Sequence, residues 1–282
     1  MFNAEEFTYD GVFSGKYGLK IASLNSSTTE ETSYAGIDTL FDKPSKGRKF
    51  YYIGSKVTSP PTCEFAVLCK EPLQDFSLKE ISVWLEKDGF KPLVVHQPDL
   101  NNYKYMCVFN ITSLIYHCGR CIGLNLRATF DSHFMYGADT ITNATIKEGE
   151  TKEFSILNKS DKTPTAKYVN PKMEITFSNS TPSPSEVAVV LTNNTDDSLR
   201  EFRLQVPDGT KKIIVDNQEK KIEMYSGANG EILESGLYLD KFIGKNWLRL
   251  LSGKNQVSAT IENASGDTTI KITCPQYVKI RY

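Results

Sequence analysis

Residues 77–95 read SLKEISVWLEKDGFKPLVV, the one clear helix of the chain followed at once by a strand. Ser77-Leu78-Lys79-Glu80 has the form of a capping box, in which a hydroxyl and a carboxylate satisfy amides of the first turn. Leu78, Ile81, Trp84 and Leu85 then recur at three and four residues, giving one apolar stripe. Gly89 supplies a left-handed stop, so the spacing predicts a helix over about 77–88. A single short helix must lay its stripe on a sheet.

Outward from this block the period changes to two. Phe7, Tyr9 and Gly11, then Gly18-Leu19-Lys20-Ile21, read as an opening strand pair with a Gly-bearing turn. Residues 25–48 are rich in Ser, Thr, Glu and Gly and read as a loop or an exposed arm. Strands follow at 49–53 and 63–69, separated by Ser59-Pro60-Pro61, and beyond the helix at 91–95, 103–109 and 123–130. The predicted amino-terminal domain, 1–140, is a β-sandwich or barrel carrying one helix.

Residues 141–170 are poor in apolar stretches and read as a linker or bridging segment, with one strand near 153–157. Alternation returns at Met173, Ile175 and Phe177 and at Phe202, Leu204 and Val206 before the turn Pro207-Asp208-Gly209. A hairpin is expected around Asp216-Asn217-Gln218-Glu219, with further strands at 247–250, 257–261 and 269–273. The whole is an all-β chain of two domains, the second a β-sandwich over 171–282.

Composition narrows the function classes. Lys and Arg number 33 against 34 Asp and Glu, a net charge of -1, which lacks the basic footprint of a nucleic-acid binder. The apolar runs, such as Val187–Leu191, are far shorter than the roughly 20 residues of a membrane helix. Met1-Phe2-Asn3-Ala4-Glu5-Glu6 is acidic where a secretory signal is basic, so synthesis in a cytoplasm is expected. His96, His117 and His133 match no ligand spacing, no G-x-S-x-G elbow occurs, and no cofactor or enzymatic activity is expected. Cys118-Gly119-Arg120-Cys121 is half of a zinc knuckle that Cys63 and Cys69 could complete; the default reading is unassigned thiols. Tyr225, Tyr238 and Trp247 are candidate stacking residues for a sugar ring, although such aromatics more often fill a core.

Three blocks carry a resemblance. Phe7–Val12 followed by Tyr17–Ile21, then Trp84–Leu93 running through Asp99, Tyr103 and Tyr105 to Gly123–Phe130 and Phe134–Gly137, and finally Asn246–Asn255 with Val257–Ile261 and Tyr277–Tyr282, are similar in order and spacing to the distal tail proteins of long-tailed phages. The resemblance implies a homo-hexameric ring at the virion tail tip. Its amino-terminal domains would form a belt below the tail tube protein. Galectin-like carboxy-terminal domains would hold tail-tip, receptor-binding or adaptor proteins, with cell-wall glycan a further expected partner. The segment 25–48 and the Cys118–Cys121 turn depart from the family pattern. The competing class is a carbohydrate-binding module or adhesin.

Overall fold

The computed structural model describes residues 4–22, 37–42, 51–57, 59–161, 167–179, 181, 186–226, 230–236, 242–243 and 246–279. It divides into two compact units, Met1–Gly137 with Tyr277–Tyr282, and Ala138–Gln276. The described residues are all-β apart from one α-helix and one 3-10 turn.

The first unit contains β1 (Phe7–Tyr9), β2 (Val12–Phe13), β3 (Leu19–Ala22), β4 (Ile37–Asp42), β5 (Tyr51–Val57), β6 (Thr62–Cys69), α1 (Asp75–Leu85), β7 (Lys91–Val95), β8 (Tyr105–His117) and β9 (Arg120–Phe130). Seven of the strands form one sheet in the order β2-β1-β7-β8-β9-β6-β3, while β4 and β5 form a separate pair among the described residues. Asp10 and Gly11 have φ of 47° and 76°, the two-residue turn that joins β1 to β2 with the natural strand twist. The expected pairing of β1 with β3 is not made. The two strands belong to distant places in the sheet order, but the sheet curls until the Ile21 N–H donates to the Glu5 carbonyl at 2.7 Å. The expected sandwich or barrel thus takes the form of one curled sheet with a helix on it.

α1 lays Ile81, Trp84 and Leu85 against that sheet, all buried. The Trp84 ring stacks on Phe7 at 5.8 Å, and its indole N–H donates to the Tyr9 carbonyl at 2.9 Å, so the aromatic is buried with its polar atom satisfied. Phe65, Phe109, Leu124 and Leu126 complete the core. The capping-box reading fails. α1 begins at Asp75, Gln74 is the N-cap and makes no side-chain cap bond, and Ser77 is a residue of the helix interior. The Asp75 carboxylate in the first turn suits the positive end of the helix. The helix ends at Leu85, short of 88, because the Lys87 amide turns to the Leu85 carbonyl; Gly89, with φ 72°, serves the bend into β7.

The second unit is built from β10 (Phe134–Ile146), β11 (Thr151–Asn158), β12 (Tyr168–Val169), β13 (Lys172–Phe177), β14 (Ala188–Asn193), β15 (Glu201–Gln205), β16 (Lys212–Asp216), β17 (Lys221–Tyr225), β18 (Ile232–Gly236), β19 (Phe242–Ile243), β20 (Leu250–Leu251), β21 (Gly253–Glu262) and β22 (Thr268–Lys279); β10 begins and β22 ends within the first unit. One sheet runs β10-β22-β13-β16-β17-β18 and a second β11-β21-β14-β15-β19, with β12 and β20 a separate pair. Met173, Ile175, Ile213, Val215, Ile270 and Ile272 on the first sheet and Leu191, Phe202, Leu204, Val257 and Ala259 on the second are buried in alternation. Two sheets each burying one face cover one another, which is a sandwich.

Residues 141–170, poor in apolar runs, are largely strand where described. Residues up to Ile146 lie in β10, and β11 pairs with β21 from Thr151 to Asn158. Single buried side chains such as Ile146 and Ile156 suffice for an edge strand, which a search for long apolar stretches passes over. The boundary of the compact units falls at Gly137 and Ala138.

Candidate assembly surfaces

The helix that closes the first core also presents apolar groups outward. Phe76 and Val83 lie on the face opposite the stripe and are 71% and 66% exposed. With Val12, Tyr17, Lys79 and Lys87 they line a shallow depression of about 470 Å³. Lys87 is tied to Asp10 at 2.5 Å, which fixes the helix end to the β1–β2 turn and holds the Asp10 carboxyl below its ordinary value. Nothing in the stripe pattern marks Phe76 and Val83, because an amphipathic reading assigns them to solvent.

The β8–β9 hairpin ends in a turn whose central residues are Cys118 and Gly119, with φ of 47° and 77° and His117 facing Arg120. The C-x-x-C spacing is therefore hairpin geometry. Cys118 is exposed in the turn, whereas Cys121 is buried in β9 with Sγ 3.6 Å from the Gly123 carbonyl oxygen. Cys63 faces Ala128, seven residues along β9 from Cys121, so it lies well away from the turn. Among the described residues no group of three His, Cys, Asp or Glu side chains converges as a metal site. Burial raises the thiol pKa of Cys107 and lifts that of Cys274 to about 12, which makes both inert core groups.

Of the candidate sugar-stacking residues in the second unit, Trp247 and Tyr225 lie among the described residues. Trp247 packs against Phe242, ring centroids 4.7 Å apart, and Phe242 in turn against Phe202 at 5.1 Å, so the indole extends a core cluster. The Trp247 indole nitrogen is buried and makes no hydrogen bond. Tyr225 lies on β17, where its hydroxyl donates to Glu223 at 3.0 Å and Glu223 binds Lys221. Tyr238 lies outside the described residues.

Residues 247–250, expected as a strand, are held differently. Only Leu250 and Leu251 pair as strand, with β12. The rest is pinned by buried asparagines: Asn217 accepts from the Leu248 amide, Asn193 donates to the Arg249 carbonyl, and Asn255 accepts from the Leu251 amide while donating back to its carbonyl. Arg249 then reaches Asp196 through Nε at 2.6 Å and Nη2 at 3.1 Å, with its guanidinium 3.8 Å above the Tyr168 ring. Those two bonds, with Ser198 donating to the same carboxylate, hold the Asp196 pKa down at about 2. Sequence periodicity carries no signal for such a network, since Asn193 and Asn217 bond a stretch remote in the chain.

Among the described residues the first unit thus offers exposed apolar side chains on its helix, and the second a loop held by buried asparagines. The sequence of residues 2–132 matches the family described as phage tail protein N-terminal domain. No curated protein matches the chain. Among solved structures, the Dit protein of phage SPP1, described as a paradigm of the hub adsorption apparatus in Gram-positive infecting phages, aligns with TM-score 0.62 at 12% identity, covering 97% of this chain and 99% of that one. A chain of the phage P2 baseplate in its calcium-activated conformation aligns with TM-score 0.51 at 10% identity over 95% and 97% of the two chains. The strontium-activated form of that baseplate gives TM-score 0.50 at 10% identity over 96% and 98%. Residues 2–132 thus match the phage tail protein N-terminal domain family, and over almost its whole length the chain shares the fold of the SPP1 Dit protein.

Proposed function

We propose that the chain is a distal tail protein whose copies close into a ring, six-membered as in the family it resembles, joining the tail tube to the tail tip or baseplate. The observation that carries this reading is the end-to-end match of both units to the Dit hub fold, 97% of this chain against 99% of that one. In this reading the first unit makes the ring. The second, a galectin-like sandwich, anchors receptor-binding or adaptor proteins. Its place is the virion, and its work is structural rather than catalytic.

The physics agrees. A closed ring of identical copies needs heterologous contacts, one surface of each copy meeting a different surface of the next. Open strand edges supply such contacts through main-chain hydrogen bonds. A net charge of -1 places little electrostatic cost on stacking copies. Light scattering on the purified chain tests the reading: six copies of 31.7 kDa give a species of about 190 kDa as concentration rises. A monomer at every concentration, and also in the presence of tail tube protein, contradicts it.

A further inference from the structure

We infer, building on the reading that copies assemble, that Leu199 of one copy seats in the depression beside α1 of another, so that the second unit of one copy holds the first unit of another. Two features that nothing else in the fold explains lead to this, one a knob and the other a hole.

The knob is the loop between β14 and β15, residues 194–200. Leu199 has φ of 44°, a left-handed backbone that glycine takes freely and a leucine resists. Its side chain is nonetheless 61% exposed, so no burial within the chain offsets that conformation. The loop is built to hold it. The Leu199 amide donates to the Asp196 carbonyl at 2.8 Å, and the Ser198 hydroxyl donates to the Asp196 carboxylate at 2.9 Å. Arg249 clamps that carboxylate and also donates to Ser198 Oγ at 3.1 Å. Strain that persists because its surroundings over-determine it points to a functional position. An apolar side chain already held outward loses little freedom on binding.

The hole is the depression of about 470 Å³ walled by Val12, Tyr17, Phe76 and Val83. The buried Trp84, whose ring stacks on Tyr17 with centroids 5.1 Å apart, also lines it. An aliphatic side chain entering there would cover Phe76 and Val83, which the fold leaves in water.

Charge chooses the occupant. Lys79 and Glu80 line the hole, and Asp197 and Arg200 stand on either side of Leu199. All four are exposed, and none makes an ion pair among the described residues. An apolar centre between an acid and a base thus meets apolar walls beside a base and an acid, so this chain supplies both halves of one contact. A partner of one charge sign would set a like charge against Lys79 or Glu80, and a purely apolar one would cover both without a counter-charge. Both halves are open within the single chain, so the contact joins two copies. Knob and hole are different surfaces, which makes it heterologous.

Cross-linking tests this in a Cys118→Ser background, which removes the one exposed thiol among the described residues. A mixture of full-length Phe76→Cys and Leu199→Cys chains treated with a short bismaleimide should give a covalent dimer that neither variant gives alone. Lys79→Glu in the first chain should lower the yield about fivefold, and Asp197→Lys in the second should bring it back. At low concentration Leu199→Gly should melt no lower than the parent, because glycine takes the left-handed backbone without strain. Rings seen by electron microscopy with no mixed dimer would overturn this contact and leave the ring reading standing. A mixed dimer without rings would uphold the contact and tell against the ring, and absence of both would overturn both. A Phe76→Cys thiol shielded by added tail tube protein, with no mixed dimer, would assign the depression to another protein and overturn the proposal. So would a lower melting temperature for Leu199→Gly, which would give the leucine to its own fold.

Discussion

Replacing Asp196 with Asn should unfasten the loop network of the second unit by an amount the structure sets. Asp196 is buried and accepts two bonds from Arg249 and one from the Ser198 hydroxyl, which hold its pKa at about 2 against an ordinary 3.8. That difference corresponds to about 2 kcal/mol favouring the ionised carboxylate in the folded protein. Because the folded pKa is depressed, this stability is fully present above about pH 4 and disappears as pH falls toward 2. The Asp196→Asn variant should therefore unfold about 2 kcal/mol more easily at pH 7, and the difference from the parent should shrink toward zero near pH 2. Asp196→Ala should cost more, ~3 kcal/mol or above, since it leaves a mostly buried guanidinium without its partner. Urea unfolding followed by Trp247 emission in a Trp84→Phe background reads the second unit alone, because the chain has two tryptophans, one in each unit. An Asp196→Asn penalty that is absent at pH 7, or as large at pH 2 as at pH 7, would refute the assignment of this stability to the ionised pair.

Gly123→Ala should misfold the first unit or cost at least ~3 kcal/mol in a thermal melt, because a Cβ there would clash with the Val67 carbonyl oxygen in the middle of the sheet. Trp247→Ala should destabilise the second unit by about 2 kcal/mol through loss of packing on Phe242; unchanged stability together with lost binding on a glycan array would favour the sugar-stacking role instead. Metal analysis of the purified protein should find no stoichiometric zinc, and Cys118→Ser should melt within about 1 °C of the parent, since that thiol projects from a hairpin turn; one zinc per chain lost on this substitution would restore the metal reading.

How much of this was legible in the sequence depended on whether a feature is local. The stripe Ile81, Trp84 and Leu85 and the alternation at Met173, Ile175 and Phe177 each encode burial in a period, and both appear in the structure as read. The hairpin around Asp216 is equally local: its carboxylate accepts from the amides of Gln218 and Glu219. Ser77 and Glu80 misled because the same four-residue pattern fits inside a helix, and only the upstream chain decides where the helix starts. The pinned stretch at 247–251 was hidden because its partners, Asn193 and Asn217, come from other strands and loops. The strand edges were hidden for the same reason, since alternation tells which face of a strand is buried and nothing of what lies beside it. Cys118-Gly119-Arg120-Cys121 shows how a spacing with a chemical meaning can also be that of a tight hairpin turn, here with Cys118 and Gly119 at positive φ.

Electron microscopy of the purified full-length chain tests the central claim most directly. The account predicts closed rings of six copies, with the first units forming the continuous wall. Well-dispersed single particles without rotational symmetry, at high concentration and with tail tube protein added, would contradict it.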